Sequence, residues 1–545
     1  MALISLPAPD EPKLKRRLLA RHLEMIAIGG AIGTGLLLRS GTSIAQAGPV
    51  GALLCFAIVG LQVFGVIAGI GEMATLLPVE GGFSQFPSRF VHKSLGFAMG
   101  WTYWITWVLT IAAEMAGIAN LMQYWVASST VQPWIWSLAY LAPIAIINLF
   151  PVNGFATLEF ILCIIKILAI VLFLIIGVVV WFGANDSRQP LWFTNWKPAM
   201  KGDNSVDLFL RIAKNFATAF FAYGGTELVG LTAGEAINPR KSVPRAINGT
   251  FYRVLIFYLG ALLVVGLILP PDSEFLMSAD IAKSPFVYAF KTVSISFAPD
   301  LMNAIIIIAA VSASNSSIYA CARTLTRLAE EGSAHRIFAV TTKHGVPINS
   351  VLLCILVSLI SIGCAYGAGP NGSTYVFSWL AGQISYGVWL SWMVMTYTHL
   401  RFRNGYMAQG RKLEDLPYKS PYFPYMNYLS LYIGTVVFIC WVFSSLYTNG
   451  VDAGVFFDTN WVMANSWMYA GIPLSLCLFF GHGLIYHRRA VGDTQYWWKL
   501  VPYDEMDFDT GRVLETEQEL EEIELTLQRP KGVKEWGRRI LFKLF

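Results

Sequence analysis

The stretch HLEMIAIGGAIGTGLLLRSG, residues 22–41, is apolar enough to lie in hydrocarbon, yet it sets Gly29, Gly30, Gly33 and Gly35 within seven residues. Glycine weakens a helix interior by roughly 0.5–1 kcal/mol relative to alanine, so this run predicts a helix that breaks near its middle. Five apolar runs later FAYGGT, residues 221–226, puts Gly224 and Gly225 at a corresponding place. Two interruptions five spans apart are what an inverted repeat of five plus five helices requires, and paired breaks of this kind point to a binding site near the bilayer midplane. The freed N–H groups of one half-helix and C=O groups of another can hold both ends of a zwitterion without burying side-chain charge. The alternative is that the glycines only permit close helix packing.

Outward from these breaks, the 545 residues are 55% hydrophobic and 13% charged, about half the charged share of a soluble domain. Apolar runs of roughly 20 residues recur along the chain, starting near Leu23, Val50, Phe97, Pro133, Phe155, Phe209, Gly249, Ala298, Asn349, Thr374, Tyr428 and Asn465. Runs this long without β-alternation must be helices in lipid, where backbone groups have to pair internally. The expected fold is an all-α membrane protein with twelve transmembrane helices. A cytoplasmic N-terminal tail (residues 1–20), a transporter domain (21–490) and a cytoplasmic C-terminal tail (491–545) divide the chain.

Short loops rich in arginine and lysine stay cytoplasmic. Counting the N-terminus as inside places there Arg89 and Lys93, Arg240, Lys241 and Arg245, and the group Arg401, Arg403, Arg411, Lys412 and Lys419. Both termini are therefore expected in the cytoplasm. The sequons at Asn185 and Asn371 fall in expected outside loops, and EQELEEIEL, residues 517–525, could form a short surface helix. Net charge is +5 without a continuous basic stripe, which argues against nucleic acid as a partner. Seven cysteines sit in apolar segments with no CxxC or Cys/His cluster, so neither a metal nor a cofactor is expected.

Ionisable residues inside spans cost roughly 2.5–3.5 kcal/mol each by insertion scales and mark function. Lys166 lies halfway along the fifth run, Glu114 midway along the third, and Glu227 just after the second glycine pair. Lys166 reads as a fixed or titrating cation near the first break, or as half of an ion pair with a glutamate. Glu227 reads as a proton carrier, or as a hydrogen-bonding brace for the broken helix. Glu72, Glu159 and Glu235 are expected nearer the cytoplasmic ends, where carboxylates reach water or loop cations more easily, as structural or gating groups. Phe221 is a candidate gate over substrate, with ordinary packing as the alternative. Ser312, Ser314, Asn315, Ser316 and Ser317 form a polar cluster that could face the transport path or simply bond between helices.

At these residues the sequence resembles the fungal amino acid permeases of the yeast amino acid transporter family, within the amino acid, polyamine and organocation superfamily. The likeness runs through residues 22–41, GEMATLLP at 71–78, GFAMGWTYW at 96–104, FAYGGTELVGLTAGEAINPRKSVPRAI at 221–247 and DFDTGR at 507–512. It implies the fold of the bacterial leucine transporter, with the last two helices peripheral, and proton-coupled uptake at a plasma membrane. It implies a substrate carboxylate on the amides of Gly33, Thr34 and Gly35, with the amine near the carbonyls of Ala31, Phe221, Ala222 and Gly224. The fifth-span lysine of some relatives corresponds to Lys166. Tyr223, Gly224 and Gly225 leave the side-chain preference open, and a broad or neutral range is the default.

The expected function is import of amino acids by proton symport through alternating access, with the lipid bilayer, protons and the amino acid as partners. The tails offer sites for cytoplasmic trafficking or ubiquitylation machinery. The alternatives are a transporter-like nutrient receptor or a permease for polyamines or related organic cations. No re-entrant filter suggests a channel, and no Ser/His/Asp arrangement, HExxH or phosphate-cradling loop suggests an enzyme.

Overall fold

The computed structural model describes residues 18, 20–79, 81–150, 152–184, 188–236, 238–273, 276, 286–287, 298–367, 372–447, 465, 467–490 and 499–512. Among them every long element is α-helical. The sequons at Asn185 and Asn371, the EQELEEIEL stretch and most of both tails lie outside the described residues.

The first apolar run forms α1 (Ala20–Ala31), stops at Ile32 and Gly33, and resumes as the one-turn α2 (Thr34–Leu37). Next comes α3 (Arg39–Leu76), which is two helices in series. Gly48 takes φ +76° and ψ 166° ahead of Pro49, a conformation that needs glycine, and proline cannot continue the ladder. The freed groups are met from outside the helix, Val50 N–H donating to the Ala199 carbonyl (3.0 Å) and Lys201 N–H to that of Ala47 (3.1 Å).

Then follow α4 (Gly82–Phe90), α5 (Lys93–Met122), α6 (Pro133–Ile147) and α7 (Val152–Trp181). The second broken run gives α8 (Ser205–Tyr223), a turn over residues 224–227, and α9 (Leu228–Thr232). Next are α10 (Pro239–Ile268), α11 (Ala298–Glu330), α12 (Ile348–Gly367), α13 (Gly372–Ala408), α14 (Tyr425–Leu446) and α15 (Ile472–Ala490). Among the described residues, five helical stretches are long and apolar enough to cross a membrane: Arg39–Leu76, Lys93–Met122, Gly154–Trp181, Pro299–Glu330 and Tyr425–Leu446.

The burial pattern is inverted relative to a protein built for water. On α7, Ile161, Leu168 and Ile175 are exposed, Leu168 to 62%, while Lys166 on the same helix is 1% exposed. Burying a leucine gains roughly 1.5–3 kcal/mol in water, so this outward apolar stripe has its natural solvent in lipid. The charged residues of α7, Glu159 and Lys166, turn inward.

Helix α5 is the central post, touching α4, α6, α11, α12, α13 and α15, while α1 packs against α7, α9, α10 and α11. Buried ion pairs pin the ends. Arg403 on α13 reaches Glu72 on α3 through two hydrogen bonds of 2.8 and 2.6 Å, and Ser420 N–H donates to the same carboxylate at 2.6 Å. Glu235 accepts from Arg323 (2.9 Å) and Tyr319 (2.7 Å) of α11. Glu72, Glu159 and Glu235 are thus structural groups, as expected, that reach side-chain partners and not water: each is at most 2% exposed. Two meet arginines, and Glu159 turns into the bundle because α1 and α11 wrap its end of α7.

Part of the C-terminal tail also departs from a free segment. Residues 499–512 lie on α4 and α13, where Phe508 is fully buried among Phe90, Phe402 and Tyr406. Arg411 grips Asp509 through bonds of 2.8 and 2.6 Å. That guanidinium holds the Asp509 carboxyl below its ordinary pKa.

Candidate functional site

The two helix breaks meet face to face. Gly225 has φ +102°, and a Cβ built there would stand 2.6 Å from the Gly30 carbonyl oxygen. A Cβ on Gly35 would stand 2.7 Å from the Ala222 Cα. Only glycine at these positions lets the two backbones approach closely enough for their freed polar groups to share one small space.

A pocket opens beside this junction. From the breaks it is lined by Gly30, Ala31, Gly33, Gly35, Phe221, Gly224 and Gly225; α5 adds Thr106, Trp107, Thr110 and Glu114, and α13 adds Ile384 and Val388. Among the described residues Glu114 is its only charged lining residue. The Glu114 carboxylate accepts from the Thr34 hydroxyl (3.0 Å) and more loosely from the Thr34 N–H (3.4 Å). An anion of this protein's own thus rests at the start of α2, where half-helix dipole and free N–H groups favour negative charge.

Carbonyls of both breaks converge on one hydroxyl. Tyr258 of α10 lies 2.6 Å from the oxygens of both Ala31 and Ala222. One phenolic proton can donate to only one of them at a time, so the pair has capacity for a further donor.

The ionisable residues divide between the pocket and its supports. Lys166 does not line the pocket; its ammonium donates to the Gly29 carbonyl at 2.5 Å. Among the described residues it has no carboxylate at ion-pair distance, so the lysine holds the end of α1 through backbone instead of the glutamate pair considered above. Glu227 braces the second break. Its Oε2 accepts from Gly225 N–H (3.1 Å) and from the Trp392 indole (3.3 Å), while Oε1 is buried with no side-chain or backbone partner among the described residues.

Of the polar cluster on α11, Ser312 and Asn315 donate to Glu159, and Asn148 donates to Asn315 Oδ1 at 2.7 Å. Ser317 bonds within its own helix at 2.7 Å, while among the described residues the hydroxyl of Ser314 has no partner. Interhelical bonding therefore accounts for part of the cluster.

Five of the residues expected at the site line the pocket directly: Ala31, Gly33, Gly35, Phe221 and Gly224. Thr34 and Ala222 stand behind them as the partners of Glu114 and Tyr258. Sequence reasoning missed Thr106, Trp107, Thr110, Tyr258, Ile384 and Val388. None sits at a break or carries charge in an apolar run, so neither signal could find them.

Comparison with known proteins gives the arrangement its context. The amino acid permease family model matches residues 22–491. The chain is 35% identical over 483 residues to the lysine-specific permease of Escherichia coli (strain K12), covering 87% of this chain and 94% of that one. It is 34% identical over 507 residues to the general amino-acid permease of Saccharomyces cerevisiae, covering 92% and 80%. With the histidine permease of Lactococcus lactis it shares 34% identity over 501 residues, covering 91% and 98%. Helices that turn apolar residues outward around a polar junction, and a family match spanning both breaks, lead to one statement: the chain belongs to the amino acid permease family, whose members are membrane transporters and not enzymes.

Proposed function

We propose that this permease imports amino acids by proton symport through alternating access, with the junction of its two helix breaks as the substrate site and with cationic side chains preferred. The observation that carries this reading is the pocket's charge: Glu114 is its single charged lining residue. Lys166 does not line the pocket and its ammonium is directed to the Gly29 carbonyl. Relatives named as lysine-specific and histidine permeases support the same preference.

In this mechanism the Thr34 region receives the substrate carboxylate, and the Ala31 and Ala222 carbonyls receive the amine once Tyr258 yields one of them. Glu114 turns to the side-chain cation. The twelve-span arrangement with two inverted halves and two peripheral helices, both termini cytoplasmic, at a plasma membrane, is the setting we assign. Glu227 is the proposed proton carrier, because its buried Oε1 lacks a donor while Oε2 is tied to the break. Loading it would add a donor beside Gly225 and couple protonation to the shape of the junction.

One proton supplies enough. A potential of about 100 mV contributes roughly 2.3 kcal/mol and one pH unit about 1.4 kcal/mol. Their sum of about 3.7 kcal/mol supports accumulation of a few hundredfold.

The test is radiolabelled uptake in transporter-deficient cells for lysine, arginine, histidine, leucine and glutamate, with and without a protonophore. Lysine or arginine should be accumulated best, and the protonophore should abolish accumulation. Glu227→Gln should reach the surface and lose the pH dependence of uptake. Accumulation that ignores the protonophore removes the coupling, and unchanged pH dependence in the variant moves the proton to Glu114 or Lys166.

A further inference from the structure

Arg39 stands where α2 passes into α3, at the far side of the first break from α1. Its guanidinium carbon lies 5.5 Å from the centroid of the Phe221 ring and 4.8 Å from that of Phe377 on α13. The two rings meet edge to face, 6.0 Å apart at 90°. Both contacts fall within cation–π reach. Phe221 lines the pocket, so Arg39 stands against a residue of the pocket wall, one ring away from the space it encloses.

Among the described residues no carboxylate pairs with Arg39. An aromatic face attracts a cation through its quadrupole but carries no net charge to cancel it. The field of Arg39 therefore persists one ring away, inside the pocket. A unit charge about 9 Å from a bound ligand, at an effective dielectric constant of about 20, changes affinity roughly twentyfold.

Glu114 alone would welcome any organic cation, a diamine as readily as a basic amino acid. We propose that Arg39 is the residue that makes this pocket demand a carboxylate: it favours an amino acid and rejects the amine left when that carboxylate is replaced by hydrogen. The proposal rests on the helix breaks being the substrate site, and it holds whatever the side-chain preference. The two opposite charges then read two ends of one ligand. Carboxylate faces the Arg39 side, and a side-chain cation faces Glu114.

The experiment uses the purified full-length chain in proteoliposomes, with labelled amino acid uptake competed by matched pairs: lysine against cadaverine, and leucine against 3-methylbutylamine. In the wild type each amine should compete at least 100-fold more weakly than its amino acid. Arg39→Gln should shrink that ratio about tenfold to twentyfold, weakening the amino acid and strengthening the amine together. Arg39→Lys, which restores the charge, should recover most of it. Arg39→Met keeps the stem without charge and carries the same expectation as Arg39→Gln should the glutamine variant fail to fold.

An unchanged ratio in the uncharged variants overturns the proposal. So does a ratio lost equally in Arg39→Lys, which would assign the effect to packing on the two rings. Leucine accumulated in place of lysine would remove the cationic preference proposed above while the leucine pair still decides the role of Arg39.

Discussion

Gly225→Ala is expected to lower uptake by about 100-fold or more while the protein still reaches the membrane. The residue has φ +102°, and a side chain held in so sparsely populated a backbone region costs about 1–3 kcal/mol. The methyl group would also meet the Gly30 oxygen at 2.6 Å, the Gly30 carbonyl carbon at 2.7 Å and the Ala31 nitrogen at 3.0 Å. These neighbours are backbone and cannot rotate aside, so the two breaks must separate. A displacement of about 1 Å at a positioning site can cost 10²-fold in rate, and here it would act on the carbonyl pair bridged by Tyr258. Gly363→Ala and Gly481→Ala are the controls, because nothing lies within 4 Å of a Cβ at either position. Uptake normalised to surface expression should be wild-type in both. Wild-type uptake in Gly225→Ala would mean that the junction is not where substrate binds.

The legible part of this site was its backbone chemistry. Glycine in an apolar run has few causes, so Gly33, Gly35, Gly224 and Gly225 announced the breaks, and their spacing by five spans announced that they belong together. Charges in apolar runs were legible for the same reason. What each charge touches was not. Lys166 meets a carbonyl, which leaves no trace in a sequence, and Glu114 meets Thr34 from 80 residues away. Glu159 is the structural group expected, but its partners are Ser312 and Asn315 and not water or a loop cation, because distance along a helix says little about which neighbours wrap its end. Tyr258 is one tyrosine among 23, and only the folded chain brings it to the Ala31 and Ala222 carbonyls. Arg39 resembles any cation near the end of a hydrophobic run until the touching rings of Phe221 and Phe377 are found beside it.

In the proposed mechanism the breaks grip what all amino acids share, so discrimination among side chains has to come from the rest of the wall, and there the sharpest expectation concerns Glu114→Gln. The amide is nearly isosteric and satisfies Thr34 in a new way: its oxygen can accept from the Thr34 N–H while its NH₂ donates to the Thr34 hydroxyl. The junction should therefore keep its shape. What disappears is the charge. Removing one partner from a buried ion pair costs about 3–5 kcal/mol, and even the lower figure corresponds to roughly 100-fold in affinity. Uptake of lysine and arginine should fall by about that factor, mostly through KM, while any uptake of leucine should change less than tenfold. Parallel losses for cationic and neutral substrates would instead assign Glu114 to the break itself, as the anion that holds the start of α2 in place. Retained lysine uptake would show that the cation is read elsewhere, because the pocket lining has no other carboxylate to take over.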